Sequence, residues 1–157
     1  LVQRIVDEMQ PTIERHTLVF RNGHFEQAPI VLGDPLRLEQ VVQNLLHNAV
    51  KYSPDGGVID VHVTLGDADD DQTRHICIEI TDSGIGIPPE SLPFVFRRFY
   101  RAENVEQTQI SGVGVGLYVA KEIVTLHGGQ INVESTEGVG STFHVCLPLH
   151  DASAPPP

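Results

Sequence analysis

Four groups of residues have types and spacings that can do chemistry. Arg37, Gln40, Asn44, Asn48 and Lys51 recur three or four residues apart, so on a helix turning about 100° per residue they form one narrow polar stripe. Amide oxygens at Asn44 and Asn48 suit a hard cation, and the Lys51 ammonium suits an anion such as phosphate. Asn is a poor helix former, which makes a pair of them on one stripe unusual for a plain solvated flank. Asp82 ends a strand-like run and is followed by Gly84 and Gly86. Ionised Asp only accepts hydrogen bonds and so suits an exocyclic amine such as that of adenine, while the glycines let a ligand approach the backbone. In SGVGVGL, 111–117, glycines at 112, 114 and 116 lead into a helical pattern, offering backbone N–H groups and a positive helix end to an anion. Arg97, Arg98 and Arg101 share the aromatic loop PFVFRRFYR, 93–101, a concentration of positive charge that can hold a small anion.

Singly, each group also reads as a polar helix flank, a tight turn, a glycine-rich loop or a solvated basic turn. The glycine run has the look of a dinucleotide-binding fingerprint, but the polar, aperiodic stretch 102–111 stands where that motif requires a strand.

The elements that must position these groups follow from periodicity. Leu38, Val41, Val42, Leu45, Leu46, Ala49 and Tyr52 make an apolar helical stripe that should lie on a sheet. Asp34 and Pro35 supply an N-cap and a first-turn proline for that helix, and Ser53-Pro54 stops it. Residues 1–16 have a helical spacing, and 17–21 and 30–32 are short strand candidates. Residues 58–65 and 74–81 alternate as strands joined by an acidic tip, 66–72, to which we assign no function. A helix is expected from the 112–116 glycines to about His127, ended by Gly128-Gly129. Strands over 130–135 and 141–147 close the chain before the tail DASAPPP. The expectation is an α/β sandwich of about five mixed, mostly antiparallel strands, with about three helices on one face.

At 157 residues the chain fits one domain. A net charge of −11 opposes a nucleic-acid partner. Cys77 and Cys146 lie in strand-like runs without metal-ligand spacing and read as buried free thiols in a reducing compartment. The histidines are scattered, with no metal-binding pair on a helix. No apolar run reaches the roughly 18 residues of a membrane span, so the domain is expected to be soluble and free of membrane contact. Its already helical start at Leu1 suggests a fragment of something longer.

In order along the chain, QNLLHNAVKY, DSGIGIP, FVFRRFYR and GVGVGL resemble the N box, first glycine box, F box and second glycine box of sensor histidine kinase catalytic and ATP-binding domains. These domains fall within the wider gyrase, chaperone and mismatch-repair ATPase family. HGGQINVES and GSTFHVCLP resemble its ending, and the likeness covers the chain to about residue 149. Val115 replaces the usual Leu of the second glycine box. The resemblance implies a Bergerat-type fold over residues 1–149 with a tail or linker at 150–157. It implies Asn48 as principal Mg²⁺ ligand with Asn44 in support, Lys51 at phosphate, Tyr52 at the nucleoside, Asp82 at the adenine amine and Ser141 at a water beside the base; Arg101, from the arginine and aromatic loop, is expected to reach a phosphate. Gly84, Gly86 and Ile87 would line the ATP site with Gly112, Val113, Gly114, Val115, Gly116 and Leu117, and the 112–116 glycines would hinge a lid pinned by Phe96 and Phe99.

Asn44 stands where the hydrolytic relatives carry a water-activating Glu, and an amide cannot act as a general base. The implied reaction is γ-phosphoryl transfer from Mg·ATP to a histidine on a dimerisation domain absent from this chain, and from there to a response regulator receiver domain. The full-length protein is then expected to be a homodimer, with this domain cytoplasmic, even in a membrane-anchored sensor. A non-catalytic nucleotide sensor, an ATP hydrolase and a serine kinase acting on an anti-sigma partner remain open from sequence alone.

Overall fold

The computed structural model describes residues 1–25, 27–66, 74–107 and 110–150. The acidic tip at Asp67, Asp69, Asp70 and Asp71 and the tail at 151–157 lie outside them. Helix α1, Val2–Met9, buries Ile5, Val6 and Met9. Strand β1, His16–Asn22, precedes α2, Pro35–Lys51. The α2 helix starts where the cap predicts: the Asp34 carboxylate accepts from the N–H groups of Leu36 at 2.9 Å and Arg37 at 3.3 Å, satisfying donors that a helix end otherwise leaves open. Strands β2, Gly57–Gly66, and β3, His75–Asp82, follow. The short helix α3, Glu103–Gln107, and helix α4, Gly116–Leu126, lead to β4, Gln130–Thr136, and β5, Gly140–Pro148.

The sheet order is β1-β2-β3-β5-β4, parallel between β1 and β2 and antiparallel elsewhere. Register places Phe20, Val61, Ile80, Phe143 and Val133 in one row across all five strands. Because side chains alternate along a strand, this row and its neighbours turn one apolar face toward the helices. The buried stripes of α1, α2 and α4 meet that face in one core, with Leu45, Leu46, Ile59 and Ile80 almost fully enclosed. This is the expected two-layer mixed sandwich.

Three expectations fail. The Ile30–Leu32 segment is not a strand: it has no regular structure, and Ile30 and Leu32 are exposed. The 102–111 stretch is not wholly loop, since α3 forms there and Ala102 and Val105 are buried. Cys77 and Cys146 are not free thiols but a disulfide, half-buried on the sheet face away from the helices. They stand opposite each other in the β3–β5 register with Cα atoms 4.1 Å apart. A separation of 69 residues hides that pairing until the register is known.

Candidate functional site

Helix α2 carries one wall of the site. Its polar stripe lies beside the glycine run that precedes α4: the Asn44 amide nitrogen donates to the Gly116 carbonyl at 3.2 Å, which leaves the amide oxygen as its remaining strong acceptor. Lys51 Nζ donates to the Tyr52 hydroxyl at 3.1 Å and lies 4.6 Å from the ring centroid. A Cβ on Gly112 would fall 2.3 Å from that ammonium nitrogen, so Lys51 and the glycine run share one corner.

The opposite wall is a row across three strand ends. Asp82 of β3 faces Ser141 of β5, which faces Ser135 of β4. Asp82 is 6% exposed, and its Oδ1 accepts from the Gly84 N–H at 2.8 Å. Burial pushes the Asp82 carboxyl up from its ordinary value, against the backbone N–H groups of Gly84 and Ser141, which favour the ionised form. Ser135 Oγ donates to the Gly140 carbonyl at 2.8 Å and accepts from the Ile87 N–H at 2.8 Å. In the 2.9 Å contact between the two hydroxyls Ser141 is therefore the donor, and its own lone pairs stay available to a ligand or a water.

Between these walls a cavity of about 70 Å³ is lined by Asn48, Tyr52, Asp82, Ser141 and Phe143, and by Gly86, Ile87 and Leu117 at its sides. Tyr100, Arg101, Ala102 and Val105 close it. It is far smaller than the roughly 300–1,000 Å³ of small-molecule sites. Sequence reasoning missed Ser135, Tyr100, Phe143 and Val105. A signal existed for Val105, because Ala102 and Val105 are apolar three apart within a polar run.

The glycines after Asp82 have a role besides admitting a ligand. Gly86 has φ +65°, and a Cβ there would lie 2.1 Å from the Thr136 carbonyl oxygen. The turn is thereby locked under the β4–β5 hairpin, a lock completed by Gly138 N–H donating to the Ile85 carbonyl at 2.8 Å. Gly86→Ala is expected to destabilise the domain by about 2 kcal/mol, lowering the calorimetric melting temperature by about 4–8 °C; an unchanged melting temperature would contradict the tight packing.

The arginine cluster divides. Arg97 lies over the Phe94 ring at 4.5 Å and Arg98 over the Phe99 ring at 4.7 Å. Only Arg101 of the three lines the cavity, where its guanidinium donates to the Ile110 carbonyl. Phe96 packs edge-on against Phe143 at 6.5 Å, as a pinning residue should. Phe99 does not pin through its ring, which is 58% exposed. It holds the glycine run through its backbone, at φ +64°, with its N–H donating to the Gly114 carbonyl at 2.8 Å. Val113 is 71% exposed and does not line the cavity.

Residues 33–151 match the family described as histidine kinase-, DNA gyrase B-, and HSP90-like ATPase. The chain belongs to that family. Within this ATPase family its similarity is to sensor histidine kinases. It is 38% identical over 147 residues to the sensor histidine kinase WalK of Bacillus subtilis, covering 94% of this chain and 23% of WalK. To the adaptive-response sensory kinase SasA of Microcystis aeruginosa it is 35% identical over 150 residues, covering 96% of this chain and 37% of SasA. The solved structure of the mycobacterial sensor histidine kinase MprB superposes with a TM-score of 0.76 at 30% identity, covering 94% of this chain and 91% of that one. The chain thus spans well under half the length of WalK and SasA. Its fold is that of a histidine kinase ATP-binding catalytic domain. Among the described residues no helix is long and apolar enough to cross a membrane.

Proposed function

We propose that this domain binds Mg·ATP and donates the γ-phosphoryl group to a histidine on a dimerisation domain outside the chain, in two-component signalling. One observation carries the choice of transfer over hydrolysis: position 44 is an amide, and its nitrogen is engaged by the Gly116 carbonyl. No carboxylate stands on α2 beside Asn48 to activate water.

The donor set fits the cation. Among the described residues no group of three or more His, Cys, Asp or Glu could hold a metal, but Mg²⁺ commonly uses one or two protein oxygens and takes the rest from phosphates and water. Asn48, with Asn44 in support, would hold it, and once bound it would neutralise phosphate charge. Asp82 accepts from the adenine amine, Ser141 fixes a water beside the base and Tyr52 meets the nucleoside. Lys51 and the N–H groups of the 112–116 run meet the phosphates. Arg101 has five donors and can reach a phosphate while keeping the Ile110 carbonyl. Positioning and charge neutralisation are what phosphoryl transfer chiefly requires.

In this reading the domain spans residues 1–149 and works within a cytoplasmic homodimer that passes phosphate to a receiver domain. The names of WalK, SasA and MprB support it.

Lys51→Met should weaken ATP about tenfold or more, the scale of a charge-assisted hydrogen bond, and leave adenosine affinity within about twofold. Equal loss for both, by calorimetric titration, would count against the phosphate role. The test of the whole reading is turnover: the isolated domain with Mg·ATP should bind nucleotide yet release phosphate far more slowly than the roughly 1–1,000 s⁻¹ of ordinary enzymes. Steady turnover that disappears in Asn44→Ala would make it a hydrolase instead.

A further inference from the structure

At the other end of α2 lies a cavity of about 430 Å³, against about 70 Å³ at the nucleotide site. Its floor is sheet, from Val63, Ile76 and Leu147, and its roof is α2, from Leu38 and Val42. It opens to solvent along a rim where Leu1, Gln3, Asn22, Gly33 and Pro35 are exposed, and its volume falls within the roughly 300–1,000 Å³ of small-molecule sites.

The reason it stays open is legible in the segment before α2. Pro29, Val31 and Gly33 line the cavity, whereas the bulkier Ile30 and Leu32 between them are 49% and 54% exposed. The segment turns Ile30 and Leu32 outward and sets the half-buried Pro29 and Val31 along the groove, so it edges the gap without filling it. It is also held in place. The Asp34 N–H donates to His127 Nε2 at 3.0 Å, and a Cβ on Gly33 would meet the His127 ring at 2.3 Å, so the wall cannot sink far toward the sheet.

The lining specifies the ligand class. Among the described residues no Lys, Arg, His, Asp or Glu side chain lines the cavity, and Gln3 and Asn22 are its polar side chains. A charged molecule would lose its hydration with no partner to replace it. An apolar cavity of about 150 Å³ takes benzene, so this one has room for two or three rings. We propose that the cavity is a second binding site, separate from the nucleotide site, for a neutral and mainly apolar molecule of two or three rings, oriented by one polar group at Asn22 or Gln3.

The test uses N-phenyl-1-naphthylamine, an uncharged aromatic amine whose fluorescence rises in apolar surroundings. Saturable one-to-one binding is expected, undisturbed by saturating Mg·ATP and weakened tenfold or more by Val31→Trp, which fills the cavity from a segment outside the regular elements. Methyl NMR of the wild-type chain keeps the proposal testable should that variant fold poorly: the probe should shift the methyls of Val42 and Leu147 and spare those of Ile87 and Leu117. Absence of saturable binding, displacement by Mg·ATP, unchanged affinity in a folded Val31→Trp, or shifts confined to Ile87 and Leu117 would each overturn it.

Discussion

Asn48→Ala is expected to abolish the magnesium-dependent part of ATP binding, a loss of about a hundredfold or more, or roughly 2.7 kcal/mol. Asn48 is the side chain of the α2 polar stripe that lines the nucleotide cavity, and Asn44 already commits its amide nitrogen to Gly116. A site that relies on one or two protein oxygens has little to fall back on when the principal one goes. Folding should survive, because Asn48 is only half-buried on a helix and Ala is the better helix former. Calorimetric titrations with ATP in Mg²⁺ and in chelator make the comparison. Wild type should lose affinity in chelator, and the variant should bind weakly in both. Unchanged affinity in the variant would mean that the metal is held elsewhere.

Asp82→Asn should separate stability from binding. The folded-state pKa of Asp82 is raised by burial above its ordinary value of 3.8. Its favourable contribution to stability is therefore fully present below that value and is lost as pH rises through the raised one. Once ionised, this largely buried carboxylate weighs against folding. Asn keeps the shape and an acceptor for the Gly84 N–H, so the variant should melt at the same temperature or higher at pH 7. ATP binding should nevertheless fall about 10- to 100-fold, the span of a hydrogen bond to a charged group, because the new amide can turn a donor toward the adenine amine. Wild-type affinity should also decline on acidification, starting above pH 3.8 as Asp82 protonates, and the variant should lack that decline. Thermal melts and ATP and GTP titrations across pH check both halves. An equal loss for ATP and GTP would contradict the adenine role.

Much of this site could be read from the chain because local signals coincide with it. Asp34-Pro35 and the apolar stripe specify α2, and the same periodicity places Asn44, Asn48 and Lys51 on one side. Strand alternation puts Asp82 at a strand end. What stayed hidden depends on register and on contacts far apart in sequence. The Cys77–Cys146 bond and the Asp82–Ser141–Ser135 row exist only once β3, β5 and β4 are aligned. The helix α3 is five residues long, too short for a periodic signal, yet its Val105 lines the nucleotide cavity. Phe99 looked like an anchor because it is aromatic; its left-handed backbone turns the ring to solvent and leaves the peptide to do the holding. Ile30 and Leu32 looked like a strand because they are apolar and alternate, but no neighbouring strand pairs with them among the described residues.

If this site holds ATP for transfer to a histidine supplied by another domain, label from the γ-phosphate must reach that domain. The domain is mixed with the separately produced dimerisation domain, γ-labelled ATP and Mg²⁺, and label on the dimerisation domain is followed over time. Acid-labile label should accumulate there, depend on its histidine, and disappear with Asn48→Ala in this chain. ATP bound tightly with no label transferred would contradict the account and leave a nucleotide-sensing module in its place.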